Sequence, residues 1–165
     1  IHLPFKQIGF RRLEHISVAF AAKFRFSKQG YLYGVFMSVW RRKALEALPE
    51  NRRIIESADN PMALWIEFFF VFKEHFSKNN KNPKILKILD YAAWCFSEKS
   101  GKLPNDTSTA VICAFYEDIA THREFWPHFS EWFFPHEFDQ IKSWFKYHLA
   151  DDELIEFENT YKMNA

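Results

Sequence analysis

Three histidines and three glutamates interleave within one short stretch of this 165-residue chain: His122, Glu124, His128, Glu131, His136 and Glu137. Imidazole and carboxylate are ligands for zinc, which needs several donors converging at about 2 Å from the ion. Such sites are usually anchored by a close pair, as when two histidines stand four apart on one helix. Here His122 and His128 are six apart, and His128 and His136 eight. Convergence would require Pro127 and Pro135 to fold the stretch back on itself. A metal-dependent enzyme is therefore the weakest of three functional readings, and no metal or other cofactor is assigned.

Nucleophilic chemistry fares no better. Cys95 and Cys113 follow neither a disulfide framework nor a metal spacing. Both fall in apolar, helix-like runs, where free cysteine behaves as a small hydrophobe and burial raises the thiol pKa. Two structural thiols suit a reducing cytoplasm. The adjacent carboxylates Glu117-Asp118 and Asp151-Asp152 do not share a helix face, and read as caps or solvated positions. Four scattered glycines build no phosphate loop.

A nucleic-acid reading has more substance. Lys23, Phe24, Arg25, Phe26, Lys28, Tyr31, Tyr33, Arg41, Arg42 and Lys43 interleave rings with cations, which suits base stacking and phosphate neutralisation. Residues 1–60 hold 11 Lys+Arg against 5 Asp+Glu, and residues 61–165 hold 11 against 16. The net charge of +1 argues against a polyanion partner. Attraction between a basic and an acidic half of one fold explains the asymmetry more simply.

The elements that position these residues are helical. Aromatic residues make up 19% of the chain, with 20 Phe and 6 Trp, which argues against disorder. The length suits one domain, 1–165, with a basic N-terminal part (1–60) and an acidic core (61–165). The fold expected is an all-α, single-domain bundle of about seven or eight helices around a central hairpin at 82–120. Asn82 and Pro83 supply a cap and a first helical residue. Ile85, Leu86, Ile88, Leu89, Ala92, Ala93 and Phe96 recur at helical spacing. Gly101 and Pro104 end that helix, and Asp106 or Thr107 caps the next, with Ala110, Val111, Ala114, Phe115 and Ile119 inward. Asn60-Pro61 repeats the entry signal before 62–76, a helix apolar nearly all round and so expected at the centre. On this reading Trp94→Ala and Phe70→Ala would each cost about 3–5 kcal/mol.

Further helices are expected over 5–26 and about 31–48, although Tyr31–Trp40 has strand-like content. A turn or short helix is expected over 51–57. Pro135 should open a helix with Phe138, Ile141, Trp144, Phe145 and Leu149 inward. Asp151 is expected to cap a last one carrying Leu154, Phe157 and Tyr161. Arg11, Arg12 and Glu14 precede any apolar core of signal-peptide length. The apolar run 62–72 is broken by Glu67 and falls short of the roughly 20 residues that span a bilayer, so no membrane association is expected.

The hairpin residues Tyr91-Ala92-Ala93-Trp94-Cys95, Ala110-Val111 and Ala114-Phe115-Tyr116-Glu117 resemble those of a small all-helical bacterial domain family of unknown function. In that family a Tyr-Ala-x-Trp-Cys helix precedes one ending in Phe-Tyr-Glu. The resemblance spans roughly residues 62–149 and brings no catalytic residues. It implies an interaction role, such as immunity or inhibition, because members of such families often sit beside toxin or defence genes.

The lead expectation is thus a non-enzymatic protein-interaction module, binding another protein or itself. Six of the ten residues 125–134 are aromatic, and on one short helix they cannot all face inward. At least one of Trp126, Trp132 and Phe133 is expected to be exposed at a partner interface, with Arg41 and Arg42 as further contacts.

Overall fold

The computed structural model of the chain describes residues 37–98 and 106–165. The described helices are α1 (Val39–Ala47), a 3-10 helix (Pro49–Asn51), α2 (Arg52–Ser57), α3 (Pro61–Lys78) and α4 (Pro83–Ser97). After these come α5 (Thr107–Val111), a π-helical turn (Ile112–Tyr116), α6 (Glu117–Thr121) and a 3-10 helix (Arg123–His128). The chain ends with α7 (Phe129–Trp132), α8 (Pro135–Phe145) and α9 (Asp151–Asn164). The architecture is all-α, and no strand occurs among the described residues. Met37–Ala165 form one unit. The expected helix over 5–26 and the interleaved rings and cations of 23–33 lie outside the described residues, as do Gly101 and Pro104.

The paired Asn-Pro signals work as capping chemistry predicts. Asn60 Oδ1 accepts the Ala63 N–H at 2.9 Å, and Asn82 Oδ1 accepts that of Lys84 at 3.0 Å. Each satisfies a donor that the first helical turn leaves orphaned. Asp106 does the same for Ser108 and Thr109, and its second carboxylate oxygen accepts the Thr109 hydroxyl at 2.7 Å. α8 and α9 use another device. The third helical residue reaches back, so Glu137 accepts the Phe134 N–H at 2.8 Å and Glu153 that of Ala150 at 3.1 Å. The residue before α9 is therefore Ala150; Asp151 lies inside the first turn rather than capping it.

α3 runs through the middle of the core. Trp65 stacks on Tyr91 of α4 at 5.3 Å, and Tyr91 stacks in turn on Trp94 at 5.8 Å. Phe72 meets Phe115, Phe125 and Trp132 edge-on at 5.3, 5.4 and 5.3 Å. A second aromatic nucleus joins Phe129, Phe138, Phe145 and Phe157, with Tyr161 stacked on Phe138 at 3.9 Å. Favourable ring pairs add about 0.5–1.5 kcal/mol each beyond the area they bury.

The expected inward face of the helical run 107–121 is buried, as are Ile85, Ile88, Leu89 and Ala92 of α4. Within that run the Glu117 N–H bonds to the Ile112 carbonyl, five residues back. This π-turn allows three consecutive side chains, Ala114, Phe115 and Tyr116, to be buried together.

Several expectations need correction. Of the helix placed at about 31–48, residues 31–36 lie outside the described residues, Met37 and Ser38 are not helical, and the helix runs over Val39–Ala47. Leu48 and Ile55 belong to the same core as Leu64 and Trp65. α3 is central but not enclosed. Ile66 is 48% and Phe70 59% exposed, so Phe70 is no core residue. Trp94 is only partly buried, Leu86 is exposed, and Cys113 faces solvent while Cys95 is buried.

Candidate functional site

The ring-rich stretch, expected to contribute an exposed contact, is enclosed. Trp126, Trp132 and Phe133 are 3%, 7% and 7% exposed. Trp126 donates its indole N–H to the Ala120 carbonyl at 2.8 Å and lies against Phe157 of α9. Trp132 faces the opposite way, onto Phe72 and Phe76 of α3. Phe133 contacts Phe129 and Tyr116, and its carbonyl accepts the Tyr161 hydroxyl at 3.0 Å. The expected exposure of this trio is thus overturned. It assumed one regular helix, whereas the stretch is a 3-10 helix, a single α-turn and then an extended Phe133, with φ −125° and ψ 128°. That change of pitch distributes the rings between α3 and α9. The ring left outside is Phe134, 55% exposed and stacked on His136.

Arg41 is also occupied. Its guanidinium donates to the Ile55 carbonyl at 3.2 Å and to the Ala58 carbonyl, and it lies 4.5 Å from the Trp40 ring. It therefore caps the C-terminal end of α2. Arg42 is exposed.

The three histidines of the metal reading go to separate places. His136 is on the surface with Phe134. His122 packs on Phe69 at 5.4 Å, its Nε2 faces the Lys73 ammonium at 3.5 Å, and its Nδ1 faces Glu124 at 3.2 Å. His128 packs on Phe76 at 5.2 Å, with Nε2 at 3.4 Å from the Asn80 amide and Nδ1 at 3.7 Å from Glu131. No group of three or more potential metal ligands occurs among the described residues. Cys95 has its thiol pushed up to about 12 by burial. Partial burial, then nearby Glu117, also raises the Cys113 thiol. Neither environment makes a thiolate nucleophile. Glu117 accepts from His148 at 2.9 Å.

What remains is the outer stripe of α3, which sequence reasoning missed. Ile66 and Phe70 stand one turn apart, beside exposed Glu67 and Glu74. The signal was present: two glutamates seven residues apart mark one helix face, and positions 66 and 70 fall beside it. No family model, curated protein or solved structure matches the chain. No described helix is long and apolar enough to cross a membrane.

Proposed function

We propose that this chain is a non-enzymatic protein-interaction module of immunity or inhibitor type, and that the outer stripe of α3 is its contact. The supporting observation is the exposure of Ile66 and Phe70, one turn apart on the helix whose opposite face holds the core. An i, i+4 apolar pair is what an amphipathic helix inserts into a groove on a partner protein. Exposed Glu67 borders the pair, whereas Glu74 is paired with Lys78, so the complementary groove is apolar with a lysine or arginine opposite Glu67. The backbone of α3 is already ordered by its buried face, which lowers the entropy cost of docking. The free thiols of Cys95 and Cys113 suit a reducing cytoplasm.

The test is a side-by-side affinity capture with wild type and Phe70→Ser, followed by titration of the reconstituted pair. Phe70→Ser should weaken association at least about tenfold, as loss of a hot-spot ring does, without lowering the melting temperature. Equal binding by the two proteins overturns the assignment of this face.

A further inference from the structure

We propose that the corner between α3 and α4 is a proton-sensitive cap: the neutral imidazole of His75 holds the Asn82 amide in its capping orientation, and an imidazolium there turns that amide off α4. The observation is one carboxamide engaged at both ends. Asn82 Oδ1 accepts the Lys84 N–H at 3.0 Å, and its Nδ2 lies 3.4 Å from Nδ1 of His75, in the last turn of α3. Pro83 has no N–H, so that of Lys84 is the first that α4 presents. The backbone of the corner is tied down separately. The Asn79 N–H bonds to the His75 carbonyl at 3.0 Å, the Asn82 N–H to the Asn79 carbonyl at 2.9 Å, and the Lys81 N–H to Asn79 Oδ1 at 3.0 Å. Ring and amide therefore face each other across a fixed turn, and a change in either falls on the side chains.

A carboxamide has one accepting and one donating end. The cap takes the accepting end, because the reverse orientation would set Nδ2 against the Lys84 N–H. The donating end is left toward the ring, where it fits only while Nδ1 keeps its lone pair and the hydrogen sits on Nε2. An imidazolium donates from both nitrogens, so Nδ1 then meets a second donor. The amide satisfies it only by turning Oδ1 away from Lys84. The surrounding charges are mixed. Lys84 on α4 and Lys78 on α3 oppose a proton on the ring, whereas Glu74 on α3 and Glu50 on the 3-10 helix Pro49–Asn51 favour it; Glu74 is already paired with Lys78. The positive N-terminal end of α4 opposes the proton as well. Burial, then Lys84, keeps the imidazole below its ordinary 6.5, so the ring is neutral and the cap intact at neutral pH, and acidification below that value turns the amide. The coupling is reciprocal: the factor by which the proton weakens the cap is the factor by which the cap weakens proton binding.

NMR on the full chain decides it. Long-range nitrogen–proton correlation on the neutral His75 ring should place its hydrogen on Nε2; hydrogen on Nδ1 overturns the proposal without any variant. The ring is then titrated in wild type and in Asn82→Ser, whose hydroxyl caps about as well as a carboxamide and brings no amide nitrogen to oppose the imidazolium. The proton affinity of His75 should rise roughly threefold to tenfold in Asn82→Ser, the scale of one modest hydrogen bond. Along the same titration the Lys84 amide proton should move toward its unbonded shift in wild type and hold still in the variant. An affinity that is unchanged or lower in Asn82→Ser, or a wild-type Lys84 amide indifferent to the His75 titration, overturns the cap, because burial and Lys84 alone would act on the ring equally in both proteins.

Discussion

At the scale of the residue, neighbours on one helix have opposite fates. Phe70 and Phe72 are both phenylalanines near the middle of α3, yet Phe72 is fully buried against three other rings and Phe70 lies outside. Phe72→Ala should cost about 3–5 kcal/mol and Phe70→Ala less than about 1 kcal/mol, measured by denaturant unfolding. Equal losses would mean that α3 is rotated from the orientation described. The two cysteines make a parallel pair. In the native protein an aromatic disulfide reagent should modify Cys113 at mildly alkaline pH and leave Cys95 untouched until unfolding, since Cys95 is both enclosed and pushed up to about 12. Rapid loss of two thiols from the folded state would contradict that burial. Arg41 shows why a charged residue is hard to read in one dimension. Its spacing in the sequence gave no hint that carbonyls 14 and 17 residues away would claim its guanidinium.

At the scale of the element, much was legible, because helix entry is local chemistry. Asn60, Asn82 and Asp106 each make the capping bond that their side chains suggest. The inward stripe of 107–121 and most of those of α4 and α8 follow from spacing alone, Leu86 of α4 being exposed, although the π-turn, which lets consecutive residues face in, does not. The ring-rich stretch 123–134 was misread for a related reason: a change of pitch from 3-10 to α to extended depends on what packs on either side. Asp106→Ala should cost about 1 kcal/mol as a lost cap. Asp106→Asn should also flatten part of the acid dependence. The hydrogen bond from the Thr109 hydroxyl, then those from backbone N–H groups, holds the Asp106 carboxyl below its ordinary value of 3.8. The folded state therefore binds the proton less readily than the unfolded state, so this stabilisation is present above that value and lost as pH falls through the folded one. An unchanged acid limb in Asp106→Asn would show that the cap is not formed as described.

At the scale of the molecule, the candidate contact face was hidden in the sequence by the very richness of α3 in apolar residues, since eleven consecutive positions with one charge look buried on every side. The same abundance makes the unit depend on its last helix. Phe157 and Tyr161 of α9 cover Trp126, Phe129 and Phe138, so ending the chain at Ala150 should abolish cooperative thermal unfolding; a sharp transition in that shortened protein would refute the second nucleus. His75, partly buried in the last turn of α3, adds a pH term. Burial, then the Lys84 ammonium, keeps its imidazole below the ordinary 6.5, so stability should decline as pH drops below that value, and His75→Gln should lessen the decline. The column of Trp65, Tyr91 and Trp94, nearly parallel at 5.3 and 5.8 Å, has an optical consequence. Its indole and phenol transitions are held in one fixed, asymmetric geometry, so the chain should carry intense near-ultraviolet circular dichroism without any label. That signal reports the packing of the column directly: a slide on acidification into a loosely packed, still helical globule erases it while the far-ultraviolet spectrum persists.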